Sequence, residues 1–112
     1  DTLYVAVSQS GETYDVLAAV QELKRKGARV LGVVNVVGSA IAREADGGTY
    51  VHAGPEVCVV STKCFTNTVV AFALLALHLG RIRDLSVADG KRIIDGLRRL
   101  PEQISEILAA SS

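Results

Sequence analysis

Apolar runs and helical stripes alternate along the first third of the chain. Leu3 to Val7 and Val30 to Val34 are continuous apolar runs, a pattern typical of strands that are covered on both faces. Between them, Tyr14 to Lys26 carries apolar residues at helical spacing and ends in cations before Gly27, which favours a helix with a glycine stop. Strand, helix and strand at this spacing predict a βαβ unit with parallel strands.

Shorter elements are predicted after the second strand. Ser39 has the position and chemistry of an N-cap for a short helix through about Ala45, which the Asp46-Gly47-Gly48 segment breaks. Thr49 to His52 then predicts a third strand. We interpret His52, near the carboxyl end of that strand, as a partly buried and hydrogen-bonded imidazole.

Two long helices are predicted in the second half of the chain, and the pattern leaves the state of residues 57–60 open. Ser61 is expected to cap a helix that runs to about Leu79 and ends at Gly80. Its apolar residues point in nearly every direction, which indicates a helix buried on most sides. After a linker over residues 81–85, Ser86 or Asp89 should begin an amphipathic helix, which Pro101 should kink or restart.

Length and composition narrow the class of protein. The 112 residues suffice for one domain, and 49% hydrophobic with 4% aromatic residues predicts a core of Val, Ala, Leu and Ile. Twelve basic and twelve acidic residues cancel, which argues against a broad surface for nucleic acid or anionic membrane. The apolar run over residues 68–79 is too short to span a bilayer. With no visible signal peptide we expect a cytoplasmic protein, and the initial Asp1 indicates a cut start.

The cysteines and histidines do not form a recognisable metal motif. Cys58 and Cys64 lie six residues apart, and His52 and His78 do not have zinc-finger spacing. We therefore predict no metal and no cofactor. A disulfide between the two cysteines stays open, although free buried thiols are favoured in a chain without secretory marks.

One polar segment stands between the first strand and the first helix, Ser8-Gln9-Ser10-Gly11-Glu12-Thr13. Hydroxyls and backbone N–H groups in such a turn can hold a phosphate, because the positive end of the helix dipole lies directly behind them. The alternative interpretation is that Ser10 or Thr13 only caps a helix. The two interpretations are not exclusive, since the same residues can do both.

Four segments, in this order and spacing, carry a resemblance to a known family: residues 8–13, Asn35-Val36-Val37-Gly38-Ser39, Ala53-Gly54-Pro55-Glu56 and Ser61-Thr62-Lys63. Over nearly its whole length the chain closely resembles the sugar isomerase (SIS) modules of glutamine–fructose-6-phosphate aminotransferases. The resemblance implies an α/β fold, an open parallel sheet flanked by helices in a flavodoxin-like three-layer sandwich. In such sheets a ligand binds at the carboxyl ends of the strands.

The resemblance also implies roles for particular residues. The phosphate of a hexose 6-phosphate would be held by Ser8, Gln9, Ser10, Gly11 and Thr13, and the sugar would contact the Val59 backbone and Ser61. The roles of other residues stay open. Glu12 would repel a phosphate unless its carboxylate is turned away, and Lys63 would either neutralise the phosphate or be solvated or paired internally.

The resemblance implies that the chain is part of a larger protein. It corresponds to a partial first SIS domain, residues 1–112, truncated on its amino-terminal side. The glutaminase domain and the second SIS module of the family, which would be its partners together with a second subunit, are not in this sequence. No residue here is predicted to be catalytic, and no nucleic-acid or membrane partner is expected.

The predicted function is therefore the phosphosugar-binding part of an enzyme that makes glucosamine 6-phosphate and glutamate from fructose 6-phosphate and glutamine. The fragment alone is expected to be inactive. The alternative is a sugar-phosphate-sensing SIS module of a transcription regulator, which would need a helix-turn-helix segment upstream. A stand-alone phosphosugar isomerase fits less well, because the chain offers no good candidate for a general base.

Overall fold

The computed structural model describes residues 2–111 and contains three strands and four helices within that range. The chain divides into two compact units, the first ending at Ala71 and the second beginning at Phe72. In chain order the elements are β1 (Leu3–Ser8), α1 (Tyr14–Arg25), β2 (Arg29–Val34), α2 (Ala40–Glu44), β3 (Gly47–Tyr50), α3 (Thr62–Ile82) and α4 (Val87–Ala110).

The three strands form one open parallel sheet in the order β1-β2-β3. In the register of the sheet Ser8 lies beside Val34, and Val34 lies beside Tyr50. The three carboxyl ends therefore meet at one edge, as the βαβ pattern predicts. The predicted α/β class with an open parallel sheet is confirmed.

Side chains from β2 supply both faces of the sheet, because successive residues of a strand point in opposite directions. Val30 and Val34 pack with Ala6, Val20 of α1 and Ile41 of α2 in one core. On the other face Val33 packs with Val51 and with Cys64 of α3. Helices thus pack on both faces of the sheet in the first unit, which gives the three layers expected of this fold class.

The third strand begins and ends two residues earlier than the sequence pattern predicts. It spans Gly47–Tyr50 rather than Thr49–His52. Gly48 is opposite Gly32 in the neighbouring strand, and a Cβ at Gly48 would lie 1.9 Å from the Gly32 carbonyl oxygen. The glycines that look like a helix breaker therefore permit a close approach of two strands. His52, with φ of 51°, has already left the extended conformation.

The prediction that α3 is buried on most sides is wrong for the described chain. Cys64 is its one buried residue among those described, while Phe65, Val69, Phe72, Leu74 and Leu79 are exposed. The helix also continues past Gly80 to Ile82. A Cβ at Gly80 would lie 3.1 Å from the Leu85 Cβ, so this glycine leaves room for the chain that folds back after the helix.

By length and composition alone, α3 would be able to cross a membrane, because it has 21 residues and contains an 18-residue window with a mean hydropathy of 1.4. The apolar run over residues 68–79, which is too short by itself, is only part of this helix, which extends beyond the run at both ends. This finding is weak evidence, because the helix of a soluble protein can pass the same test. One stretch of α3 packs on the sheet through Cys64 and Ala71.

The second unit contains the later part of α3 and all of α4. Ser86 caps α4: its hydroxyl accepts a hydrogen bond from Asp89 N at 3.0 Å and donates one to Asp89 Oδ2 at 2.7 Å. Pro101 lies inside this helix, which runs unbroken from Val87 to Ala110, so the predicted restart does not occur. Gly90 is buried where its Cα faces Leu77 and Arg81 of α3.

Both cysteines are free. Cys64 is buried in the core beneath the sheet, whereas Cys58 is exposed. The expectation of buried free thiols is therefore right for Cys64 and wrong for Cys58, which lies in a turn that the sequence pattern left unassigned. Among the residues described, no group of acidic, histidine or cysteine side chains could hold a metal ion.

Candidate functional site

The predicted phosphate-binding segment forms a compact turn between β1 and α1, which we call the hydroxyl turn (residues 8–13). Ser8, the last residue of β1, is buried, and its Oγ accepts a hydrogen bond from Gly11 N at 3.0 Å. The same Oγ lies 2.7 Å from Thr13 Oγ1. Ser10 Oγ accepts a hydrogen bond from Glu12 N at 3.1 Å. The hydroxyls of Ser8 and Thr13 therefore meet at the carboxyl end of β1, and the hydroxyl of Ser10 lies in the same turn.

The hydroxyl of Thr13 does not cap α1. Thr13 occupies the N-cap position, with φ of −62° and ψ of 114°, but its side chain makes no capping hydrogen bond. The first bond of the helix runs from Leu17 N to Thr13 O at 2.9 Å. The N–H groups of residues 14–16 precede that bond and carry the positive end of the helix dipole. The cap interpretation is thus wrong for Thr13, and Ser10 bonds within the turn instead.

Gly11 is the residue at which the hydroxyl turn meets α2. It has φ of +67°, and a Cβ placed on it would lie 1.9 Å from Ser39 Oγ and 2.4 Å from Ser39 Cβ. Its carbonyl oxygen accepts a hydrogen bond from Ile41 N at 2.9 Å. Both the conformation and the close contact require glycine at this position.

Glu12 turns its carboxylate toward α2. Its Oε1 accepts a hydrogen bond from Ala40 N at 2.9 Å, in the first turn of that helix. Ser39 occupies the N-cap position of α2 but provides no capping bond, and its Oγ is buried without a hydrogen-bond partner among the described residues. The glutamate therefore replaces the serine as the cap. A carboxylate held by α2 satisfies the condition under which Glu12 can lie beside a phosphate site.

The two residues expected to contact the sugar lie in the segment between β3 and α3, which we call the sugar loop (residues 51–61). Val59 is fully exposed, and Ser61 is partly buried with φ of 55°. Cys58 O and Ser61 N close a turn at 3.0 Å. Ser61 begins α3 by accepting a bond from Phe65 N at 2.7 Å.

Hydrogen bonds of three side chains hold the sugar loop. Asn35 bonds to the backbone of Ala53 and Gly54, at 2.8 Å in each case. Asn67 Nδ2 donates to Val51 O at 2.9 Å. Glu56 Oε2 accepts from Cys64 N at 3.0 Å, so that a glutamate rather than Ser61 caps the first turn of α3.

The structure agrees with one of the sequence alternatives for Lys63 but contradicts the prediction for His52. Lys63 Nζ donates a hydrogen bond to Pro55 O at 2.7 Å, which is the internal pairing that the sequence left as one alternative. His52 is exposed rather than partly buried, and its ring meets the edge of Tyr50 at a centroid distance of 6.2 Å. The prediction of a buried, hydrogen-bonded imidazole is therefore wrong.

The structure connects the hydroxyl turn to the sugar loop through one residue. Asn35 N donates to Gln9 O at 3.1 Å, while the Asn35 side chain holds the sugar loop. Sequence reasoning missed Asn35 as well as the capping roles of Glu12 and Glu56. For Asn35 a signal was available, since an amide directly after a buried strand can bond to neighbouring backbone. The two caps depend on tertiary contacts over 28 and 8 residues, which no local pattern reveals.

The first unit is an open parallel α/β domain with three hydroxyls in one turn at the carboxyl edge of its sheet, in front of a helix that no side chain among the described residues caps. Such an arrangement is typical of α/β domains that bind anions. A family model agrees with this class. Residues 1–78 match the SIS domain, and the chain belongs to the SIS domain family.

Relatives of known name extend over almost the whole chain. It is 51% identical over 109 residues to the glutamine–fructose-6-phosphate aminotransferase (isomerizing) of Symbiobacterium thermophilum. It is 49% identical over 108 residues to that of Thermus thermophilus. Each match covers 96% of this chain but 18% of the relative, so the chain spans less than a fifth of the length of these proteins.

A solved structure shares the fold. It is the C-terminal domain of glucosamine-fructose-6-phosphate aminotransferase from Francisella tularensis, with a TM-score of 0.82 and 32% sequence identity. The match covers 87% of this chain and 28% of that one. Fold and sequence comparisons thus agree on the family, and the expected resemblance to aminotransferase SIS modules is confirmed.

Proposed function

We propose that the chain binds a hexose 6-phosphate, with the phosphate in the hydroxyl turn. One observation carries the proposal: Thr13 stands at the N-cap of α1, yet its hydroxyl is turned to Ser8 and leaves the helix N-terminus uncapped. A phosphate placed there accepts hydrogen bonds from free N–H groups and from hydroxyls, and it lies at the positive end of the helix dipole. A lysine is not required in such a site.

Each residue of the proposed site has a distinct task. Ser8, Gln9, Ser10 and Thr13 hold the phosphate oxygens, and Gly11 allows the backbone to come close to them. The Val59 backbone and the Ser61 hydroxyl contact the sugar. The location of Ser61 supports this assignment, since Glu56 has taken over the capping of α3 and the serine hydroxyl is free to bind a ligand.

The proposed parent protein is an isomerising glutamine–fructose-6-phosphate aminotransferase in the cytoplasm. The names of the relatives and the 18% of their length that the chain matches support this assignment. In that reaction ammonia from glutamine condenses with the ketose carbonyl of fructose 6-phosphate, and an isomerisation gives glucosamine 6-phosphate. This chain anchors the phosphate and thereby positions the reacting carbon. A second SIS module and a glutaminase domain supply the chemistry, and the parent assembles as a homo-oligomer.

The alternative, a sugar-phosphate sensor in a transcription regulator, has less support. The relatives reported above are named as aminotransferases, and the resemblance continues through the loop between β3 and α3. A sensor would bind the same ligand, so binding alone does not separate the two. Production of glucosamine 6-phosphate by the full-length protein separates them.

Isothermal titration with fructose 6-phosphate and glucosamine 6-phosphate tests the proposal, with Ser10→Ala/Thr13→Ala as the site variant. Hydrogen bonds to a charged group are strong, so losing two should weaken binding by about a hundredfold. The matched control is Thr66→Ala/Ser105→Ala, which removes one threonine and one serine hydroxyl that bond to their own helices. Binding that survives the site variant, or that the control abolishes equally, contradicts the assignment of the phosphate to the hydroxyl turn.

A further inference from the structure

We propose that Asn35 is a positioning residue, which sets the placement of the sugar loop relative to the hydroxyl turn and so selects ligands of hexose 6-phosphate length. The inference rests on the proposed function and adds a residue to which neither the sequence pattern nor the family resemblance gives a role. Asn35 directly follows β2, the middle strand of the sheet, and is partly buried.

Three hydrogen bonds make Asn35 a bridge between two segments. Its backbone N donates to Gln9 O at 3.1 Å in the hydroxyl turn. Its side-chain Oδ1 accepts from Ala53 N, and its Nδ2 donates to Gly54 O, each at 2.8 Å. One residue thus contacts both segments that are assigned to the ligand.

The orientation of the Asn35 amide follows from its partners. Ala53 offers an N–H, which needs an acceptor, and Gly54 offers a carbonyl, which needs a donor. Only an amide with its oxygen toward Ala53 and its nitrogen toward Gly54 satisfies both. The side chain therefore acts as a short continuation of the sheet ladder, at a point where the backbone has stopped pairing.

The sugar loop needs such a support. Val51 N still bonds to Val34 O at 3.0 Å, as a strand would, but His52 turns to φ of 51° and leaves the sheet. The two backbone groups that Asn35 binds come immediately afterwards. They are the link between the end of the sheet and the part of the loop that contains Val59 and Ser61.

Positioning matters because the proposed ligand touches both segments at once. A hexose 6-phosphate carries its phosphate and its sugar on one covalent frame, so it gains from both contacts only when their separation is fixed. Inorganic phosphate uses the hydroxyl turn alone and gains nothing from that separation. Asn35 should therefore affect the first ligand and spare the second.

The test compares these two ligands in the full-length protein that carries this chain. Asn35→Asp keeps the acceptor for Ala53 N but faces a carboxylate oxygen to Gly54 O, which breaks the bridge without changing side-chain size. We expect fructose 6-phosphate to bind about tenfold more weakly, while the affinity for inorganic phosphate stays within about twofold. Asn35→Ala removes both side-chain bonds. It should therefore also lower the ratio of the affinity for fructose 6-phosphate to the affinity for inorganic phosphate.

Asn67→Asp is the matched control. It also faces a carboxylate to a backbone carbonyl, that of Val51, but Asn67 does not bond to the hydroxyl turn. Because the sheet ladder already holds Val51, this variant should lower the free energy of unfolding and leave the ratio of the two affinities unchanged.

The outcomes separate the two proposals. A lower ratio in the Asn35 variants alone supports the positioning role. An unchanged ratio in Asn35→Asp, an equal loss of both ligands, or an equal change in Asn67→Asp overturns it while the proposed function stands. If the unsubstituted protein binds no sugar phosphate, the proposed function is wrong and the positioning role is wrong with it.

Discussion

Two glutamates, rather than the two serines at the N-cap positions, cap the N-termini of the helices nearest the proposed site. Glu12 accepts from Ala40 N in α2, and Glu56 accepts from Cys64 N in α3, whereas Ser39 and Ser61 stand at the ends of these helices. A carboxylate at a helix N-terminus is favoured by the dipole as well as by the hydrogen bond. Capping from a distance ties each helix to the segment that holds the glutamate.

The capping role of Glu12 predicts different results for two substitutions of this residue. Glu12→Gln keeps an oxygen for Ala40 N and should leave fructose 6-phosphate affinity within about twofold, whereas Glu12→Ala loses the cap and should cost about 1 kcal/mol of folding free energy. Titration and urea denaturation measure the two effects. A large gain of affinity in Glu12→Gln would show that the carboxylate faces the phosphate after all.

Gly11 and Gly38 give a controlled comparison, because both have positive φ, +67° and +72°, but different surroundings. Nothing lies within 4 Å of a Cβ at Gly38, so Gly38→Ala should cost about 1 kcal/mol from backbone strain alone. Gly11→Ala adds a collision with Ser39 and should cost more and abolish ligand binding. Urea denaturation gives the difference. Adding Ser39→Gly should recover part of it, and equal losses in the two alanine variants would contradict the collision.

At the scale of elements, Asp46 joins three parts of the first unit. It lies between α2 and β3, and its carboxylate accepts from Lys24 Nζ of α1 at 2.5 Å and from Val30 N of β2 at 2.9 Å. Its own N donates to Val30 O at 2.9 Å. The hydrogen bond from Lys24, then that from Val30, lowers the pKa of Asp46 from its ordinary value of 3.8.

A lowered carboxyl pKa predicts the direction of a pH effect. Asp46 stabilises the fold fully at pH values above 3.8, and the contribution is lost as pH falls through the lower pKa of the folded state. Asp46→Ala should therefore have a lower Tm than the unsubstituted chain at pH 7, and the gap should shrink in acid. Thermal unfolding followed by circular dichroism measures it. A gap that stays constant down to pH 3 would exclude this linkage.

At the scale of the whole molecule, the sequence predicts the first βαβ unit better than the bounds of β3 or the burial of α3. Continuous β-branched runs and a helix-length connection suffice for β1, α1 and β2, because these signals are local. The pattern predicts β3 two residues too late, since its glycines matter only once Gly32 lies opposite Gly48. The pattern also predicts too much burial for α3, because the apolar residues of a helix do not by themselves show that this chain packs against them.

In the candidate site, too, the sequence predicts the local motif but not the long-range contacts. The hydroxyl turn is a local motif, and the sequence alone locates it between β1 and α1. The contacts of Asn35, Glu12 and Glu56 join residues that are distant in sequence, so they become visible only in the fold. Whether these groups bind a phosphosugar stays a prediction.

The edge strand β1 leads to a prediction about the isolated chain. β1 pairs with β2 on one side, and Leu3, Val5 and Val7 on one of its faces are 37–43% exposed. An apolar strand at a sheet edge offers unpaired backbone groups to another molecule. We expect the 112-residue chain to self-associate and Val5→Lys to reduce the association in sedimentation velocity, because a charge on an edge opposes pairing.

Val33→Lys is the control for this experiment, since Val33 is buried in β2 and a lysine there should unfold the first unit instead. Val5→Lys must keep the circular dichroism of the unsubstituted chain for the comparison to count. An unsubstituted chain that sediments as a monomer would mean that β1 does not act as an open edge. Reduced association in a folded Val5→Lys chain would support the open edge of β1 as the surface through which the isolated chain associates.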